Sequence, residues 1–147
     1  MTVKDDLLKL KIVAAAVTST DAGWTTETRD STTGKKVIQV NKMPPGGMPV
    51  EVIAAADTGS SSDKTMIVTI EASDELASEW LTVATFPALT YADTAAKRMV
   101  KRVSTQLKYL RSVITVAGDN GTISRIFEIG IGIGMIDDDG GLVGTGT

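Results

Sequence analysis

Apolar and polar residues alternate with a period of two along several stretches of the chain, which is typical of β-strands with one buried face. The clearest case is residues 66–72 (MIVTIEA), where the four even-numbered side chains face one way and the odd-numbered ones, including Glu71, face the other. Similar patterns predict further strands at residues 11–17, 37–41, 50–56, 80–86, 109–116 and 123–135. With residues 97–111 discussed below, about eight strands are expected.

Turn residues separate these stretches. Pro44-Pro45-Gly46-Gly47 and the polar segment 57–63 (DTGSSSD) predict loops, and Asp119-Asn120-Gly121 predicts a hairpin turn, because Asn-Gly favours positive φ. The sequence shows no internal repeat and no series of intervening helices. This organisation predicts an all-β fold, a sandwich or barrel of short strands.

The segment from about residue 94 to 110 fits two structures. Met99, Val103, Leu107 and Leu110 would share one face of an amphipathic helix. The β-branched and hydroxyl residues within the segment are poor helix formers and favour strands instead. The residue pattern alone leaves both structures open.

Length and composition indicate one domain with an aliphatic core. The chain has 147 residues, enough for a single core, and only 4% aromatic residues. The predicted organisation is an N-terminal arm at residues 1–10, a β-sandwich at 11–136, and a flexible, Gly-rich acidic tail at 137–147.

The absence of histidine and cysteine narrows the possible chemistry. It excludes Ser–His and Cys–His catalysis, zinc sites built on these side chains, and disulfides. The net charge of −3 gives no overall attraction to nucleic acid, and no apolar run approaches the ~20 residues of a membrane span. The N-terminus lacks the features of a signal peptide, so a cytoplasmic origin without cofactors, nucleic acid or membrane is expected.

One motif suggests an enzyme. Residues 57–61 (DTGSS) follow an apolar strand and resemble the active-site motif of retroviral-type aspartic proteases, in which two chains each donate one aspartate. The same residues also make an ordinary polar turn, which is the interpretation we favour. Asp57 is therefore expected to be replaceable by Asn without loss of folding or function.

Two further features suggest contacts with other molecules. Gly130, Gly132 and Gly134 alternate with isoleucines, leaving one strand face bare, so that another backbone, a second sheet or a neighbouring subunit can approach closely. Residues 97–111 contain six basic residues and no acidic one, which indicates a solvated face or a surface for an acidic protein partner rather than for nucleic acid.

In residues 65–90, a strand ending in Glu-Ala-Ser-Asp is followed by a strand ending in Phe-Pro, and in residues 97–134, Lys-Tyr-Leu-Arg leads into a strand. These two stretches of the chain together resemble capsid cement (decoration) proteins of tailed bacteriophages. The resemblance covers roughly residues 48–136. It implies a jelly-roll sandwich, a strand formed by residues before Tyr109, a homotrimer, and binding to the major capsid protein on the outer capsid surface of a virion.

On this interpretation the protein is not an enzyme, and its residues serve two contacts. The predicted oligomer interface comprises Tyr109, Arg111, Val113, Gly130, Gly132 and Gly134. The predicted capsid contact comprises Leu7, Leu8, Leu10, Lys97, Arg98, Lys101 and Arg102. Besides the dimeric protease, a tail-associated carbohydrate-binding sandwich is the other alternative, with Trp24, Trp80, Tyr91 and Tyr109 as the available aromatic residues.

Overall fold

Short strands make up the regular structure of the chain. The computed structural model of the protein describes residues 8–41, 43–77 and 79–132. The described residues contain no α-helix, and residues 97–103, for which the sequence also allowed a helix, form a strand. The strands are β1 (Lys9–Lys11), β2 (Ile38–Gln39), β3 (Met48–Ala54), β4 (Thr65–Ser73), β5 (Leu81–Thr85), β6 (Leu89–Thr90), β7 (Lys97–Val103), β8 (Tyr109–Ala117) and β9 (Phe127–Ile131).

The strands form two antiparallel sheets. One has the order β1-β9-β3-β7, and the other has the order β2-β8-β4-β5, with β6 paired to β4. Strands from the two ends of the chain pair in nested fashion: β1 with β9, β2 with β8, β3 with β7, and β4 with β5. This nesting is that of one long hairpin wrapped around a core, which is the jelly-roll arrangement. The predicted all-β, jelly-roll-like sandwich is confirmed.

The core lies between the two sheets and is aliphatic, as the composition predicts. On β4 the four even-numbered residues 66–72 are fully buried while the odd-numbered ones are partly exposed, so the predicted alternation is confirmed. Facing them from the other sheet, Phe127, Ile129 and Ile131 of β9 are buried too. Each fully buried aliphatic or aromatic side chain contributes about 1.5–3 kcal/mol by leaving water.

The N-terminal boundary differs from the prediction. The strand predicted at residues 11–17 is wrong, because the first strand is Lys9–Lys11 and pairs with β9. The sandwich thus includes residues assigned to an arm, and Leu10 is 0% exposed. Residues 1–7 and the predicted tail at 137–147 lie outside the described residues.

The C-terminal half also corrects two predictions. Asp119-Asn120-Gly121 does not close a hairpin, because β8 and β9 belong to different sheets and the loop crosses between them. The turn is held instead by Asp63, whose carboxylate accepts hydrogen bonds from the backbone N–H groups of Asp119 and Asn120. The last strand, predicted at residues 123–135, is Phe127–Ile131, and residues 133–135 lie outside the described part of the chain.

Candidate functional site

β7 forms a solvent-exposed edge of the four-stranded sheet. Among the described residues it pairs with β3 alone, because it is the last strand in the order β1-β9-β3-β7. Of its seven residues only Val103 is fully buried, and Val100 is 41% exposed. We call its four cations Lys97, Arg98, Lys101 and Arg102 the basic edge.

The partners of the basic edge differ along the strand. Arg98 forms an ion pair with Glu51 on β3, and Lys97 lies 3.7 Å from the carboxylate of Asp93. Lys101 donates to the carbonyl oxygen of Thr85 at 2.9 Å, which links β7 to the neighbouring edge strand β5.

Arg102 donates to the carbonyl oxygens of Gly46 and Gly47 at 3.0 and 3.1 Å. Neither Arg102 nor Lys101 is within ion-pair distance of a carboxylate in the part of the chain that the structure describes. The basic edge therefore carries two cations whose charge is not offset locally, and both are exposed.

The leucines of the predicted capsid contact do not join the basic edge. Leu10 lies in the core, so it has no surface with which to contact a capsid protein, and its place in the predicted set is corrected. Leu8 is half-buried and packs against the core. Leu7 lies outside the described residues.

The residues predicted for the oligomer interface fall on the two opposite sheets. Tyr109, Arg111 and Val113 lie on the outer face of β8, and the guanidinium of Arg111 donates to Glu71 at 2.8 Å. Gly130 lies on β9 in the other sheet. The two groups cannot form one continuous patch on a single subunit.

Of the three glycines that the sequence placed in the last strand, Gly130 lies in β9, and Gly132 follows the end of that strand. Gly130 lies between Lys9 and Glu51 of the two neighbouring strands, so charged residues of the same chain flank the bare position. A Cβ placed on Gly132 meets nothing within 4 Å, but its φ of +105° favours glycine. None of the residues that the structure describes makes the predicted close approach at Gly132, and Gly134 lies outside those residues.

Asp57 serves as a turn-capping residue. Its Oδ1 accepts hydrogen bonds from the backbone N–H groups of Gly59 and Ser124, at 2.8 and 2.9 Å. One bond closes the turn of the DTGSS segment, and the other joins it to the loop before β9. These two hydrogen bonds give Asp57 a role in holding the local structure of the loop.

Cations cover three of the four aromatic rings considered for sugar binding. Arg111 lies 4.2 Å from the ring centre of Trp80, Lys108 5.2 Å from that of Tyr109, and Lys35 5.7 Å from that of Trp24. Tyr91 is 45% exposed. With their faces covered in this way, these three rings do not form the flat, open row of aromatic rings on which a sugar could stack.

The sequence pattern did not predict that several charged residues are buried. Lys11, Asp21 and Lys35 form what we call the buried cluster, in which both ammonium groups bind the one carboxylate. Arg125, 1% exposed, donates to backbone carbonyl oxygens from two separate segments of the chain. No sequence signal marks them, because their partners are distant in the chain or are backbone atoms.

Comparison of the chain with models of known protein families and with curated proteins finds no match. The residues described in the structure include no group of three or more acidic side chains placed to hold a metal ion. Within the same residues, no helix is long and apolar enough to cross a membrane.

Proposed function

We propose that this chain is a structural capsid cement protein that binds the outer surface of a tailed-phage capsid and bridges neighbouring major capsid proteins. Its action is mechanical: it buries protein surface at the junctions between capsid subunits and so resists their separation. The observation that carries the proposal is the basic edge, an exposed seven-residue strand at the border of the jelly roll.

The two sheets of the jelly roll are joined by backbone hydrogen bonds on one side and by a side-chain hydrogen bond on the other. Near β1 and β2 the two sheets are joined by backbone hydrogen bonds, from Lys36 N–H to the Leu10 carbonyl and from Ile12 N–H to the Gly34 carbonyl, both 3.0 Å. On the opposite side β5 and β7 approach each other, with the Lys101 side chain bonded to β5. A partner can therefore contact the β7 side without displacing strands of the core.

The exposed edge fits a partner of defined chemistry. An edge strand presents unpaired N–H and C=O groups, to which an extended segment of another protein can add as a further strand. The two unneutralised cations, Lys101 and Arg102, favour a segment that carries carboxylates. The same cations oppose pairing between the β7 strands of two copies, because like charges would meet.

The homotrimer implied by the sequence resemblance is part of this proposal. A ring with three-fold symmetry needs two different patches on each subunit, because its contacts are heterologous. The predicted interface residues on β8 and β9 lie on opposite sheets and fit that requirement better than a two-fold contact. The sedimentation-velocity mass of the purified protein tests the trimer, and a stable monomer or dimer at micromolar concentration contradicts it.

Binding to capsids tests the main proposal. Capsids of the phage that encodes the chain, prepared without this protein, are mixed with purified protein and pelleted at several salt concentrations. We expect Lys101→Glu/Arg102→Glu to weaken binding at least tenfold, because it reverses two exposed charges of the contact. Wild-type binding should weaken with added salt.

A matched control reverses two charges elsewhere. Lys36→Glu/Lys64→Glu makes the same change in net charge outside β7 and outside the predicted oligomer interface, and we expect its capsid binding to stay within about twofold of wild type. Equal binding by wild type and the β7 variant, with both proteins folded by circular dichroism, would refute the role of the basic edge. Absence of binding by the wild type would refute the cement function itself.

A further inference from the structure

The described part of the chain ends close to the basic edge. Its last residue, Gly132, donates its backbone N–H to the carbonyl oxygen of Pro49 on β3 at 2.8 Å, and Pro49 pairs on its other side with Arg102 of β7. Ile131 is likewise level with Lys101, because both pair with the same residue of β3. Two strand spacings of about 4.8 Å each separate Gly132 from Arg102, so the backbone distance is about 10 Å.

A run of acidic residues begins five positions after Gly132. Asp137-Asp138-Asp139, which we call the acidic run, is the only run of three acidic residues in the sequence. The chain has 15 Lys and Arg against 18 Asp and Glu, so the acidic run equals its whole formal net charge of −3. Five residues of chain span at most about 17 Å, which is more than the distance from Gly132 to β7. The carboxylates of the acidic run can therefore reach the basic edge of their own chain.

The basic edge offers two cations to these carboxylates. In the sheet that contains β9, Lys9 and Arg98 are each paired with a carboxylate, whereas Lys101 and Arg102 are exposed and bind only carbonyl oxygens among the described residues. An ammonium group has three N–H donors and a guanidinium has five. Lys101 uses one of its donors and Arg102 uses two, so both keep donors free for a carboxylate.

We propose that the acidic run binds Lys101 and Arg102 of its own chain and thereby occupies the basic edge in the free protein. A segment tethered this close to its target has an effective concentration there on the order of millimolar, so weak ion pairs are enough to populate the contact. The inference rests on the role in binding an acidic partner that the proposed function gives to β7. It adds a competitor for the same two cations, which a capsid protein must displace.

Paramagnetic relaxation in the free protein tests the contact without a capsid. The chain contains no cysteine, so Gly140→Cys supplies a single attachment site for a nitroxide label next to the acidic run. We expect the amide NMR signals of residues 100–103 on β7 to be broadened more strongly than those of residues 9–11 on β1. Because β1 is adjacent to β9 and β7 is one strand further away, an acidic run that binds nothing would broaden β1 at least as strongly as β7.

Charge variants in the labelled protein assign the effect to the ion pairs. Asp137→Asn/Asp138→Asn/Asp139→Asn keeps the length of the segment but removes its charge, and it should reduce the broadening of β7 to no more than that of β1. Lys101→Gln/Arg102→Gln should have the same effect from the other side of the contact. Lys36→Gln/Lys64→Gln is the matched control, because it removes two cations outside β7 and should leave the pattern unchanged.

Mixed labelling distinguishes the chain's own acidic run from that of a neighbouring copy. Isotope-labelled protein without a nitroxide is mixed with nitroxide-labelled protein that is invisible in the spectrum. We expect β7 in this mixture to be broadened no more than β1. Broadening of β7 comparable to that seen within one chain would assign the contact to a second copy and overturn the proposal.

Capsid binding separates failure of this contact from failure of the cement function. The triple Asn variant lacks the competitor, so it should bind capsids at least about threefold more tightly than wild type. Equal capsid binding by the two proteins would overturn the competition, and β7 broadening that the triple Asn variant leaves unchanged would overturn the contact. Absence of capsid binding by both proteins would refute the cement function, while the broadening pattern would still support or overturn the contact.

Discussion

Replacement of Arg125 by methionine should destabilise the protein more than any change to the exposed cations. Arg125 lies two residues before the first residue of β9, and its side chain is buried. Its guanidinium donates to the carbonyl oxygens of Ala55 at 2.9 Å and Ala95 at 3.1 Å, and also to that of Asp93. It thereby joins the end of β3 to the loop that leads into β7.

The magnitude follows from these three bonds. A hydrogen bond to a charged group contributes about 1.5–3 kcal/mol net, and the buried guanidinium offsets part of the sum by its own desolvation. No carboxylate neutralises it within ion-pair distance among the described residues, and its Nε has no partner. Methionine restores much of the apolar volume but leaves three carbonyl oxygens without this donor, so we expect a loss of about 3–5 kcal/mol.

Arg102→Met is the matched control, because Arg102 also donates to two backbone carbonyl oxygens but is exposed to water. Its loss should cost about 1 kcal/mol or less, since water replaces the lost donors. Urea unfolding followed by circular dichroism gives both free energies of unfolding, with equal slopes expected. A loss for Arg125→Met no larger than that for Arg102→Met would show that burial does not strengthen these bonds.

Three further changes test local features of the fold. Gly132→Ala should cost about 1–2 kcal/mol in urea unfolding through its positive φ, and an unchanged free energy of unfolding would contradict this; a selective loss of sedimentation mass would show in addition that a neighbouring subunit approaches this position. Asp57→Asn should preserve stability to within about 1 kcal/mol, because an amide oxygen can still accept from Gly59 and Ser124, and protein substrates at pH 4–6 should remain uncleaved by either form. A hydrogen bond from the Asn120 backbone N–H lowers the pKa of Asp63, so the ionised carboxylate stabilises the folded state. The loss of unfolding free energy in Asp63→Ala should therefore be constant above about pH 5 and should vanish as the pH falls below 3.8 and through the lowered pKa. A difference between wild type and variant that is the same at pH 2 as at neutral pH would contradict this.

The sequence predicts strands well where one face is buried. β4 shows the full alternation because it lies inside the five-stranded sheet and faces the core. β7 does not, because both of its faces approach solvent at the edge, and Met99 and Val103 then fit a helical spacing as well as a strand. The resemblance to cement proteins, rather than the residue pattern, favoured the strand that the structure has.

The predictions that proved wrong have a different cause, because there the role of a residue depends on partners that are distant in sequence. Lys9 and Lys11 look like solvent-exposed positions, yet both are buried, paired with Glu128 and Asp21. Asn120-Gly121 has the composition of a hairpin turn, yet its loop joins two sheets and is tied to another loop. No short-range pattern contains this information, because nested pairing brings together residues more than 100 positions apart.

The distribution of charge shows how the two sides of the sandwich can have separate roles. Near β1 and β2, ion pairs and backbone bonds hold the sheets together, so a variant there should alter stability first. Along β7, the cations are exposed, and within the described part of the chain Lys101 and Arg102 bind carbonyl oxygens alone, so their replacement should alter binding first. A partner that neutralises the basic edge would gain its interaction energy without opening the core, which is what the proposed cement function requires.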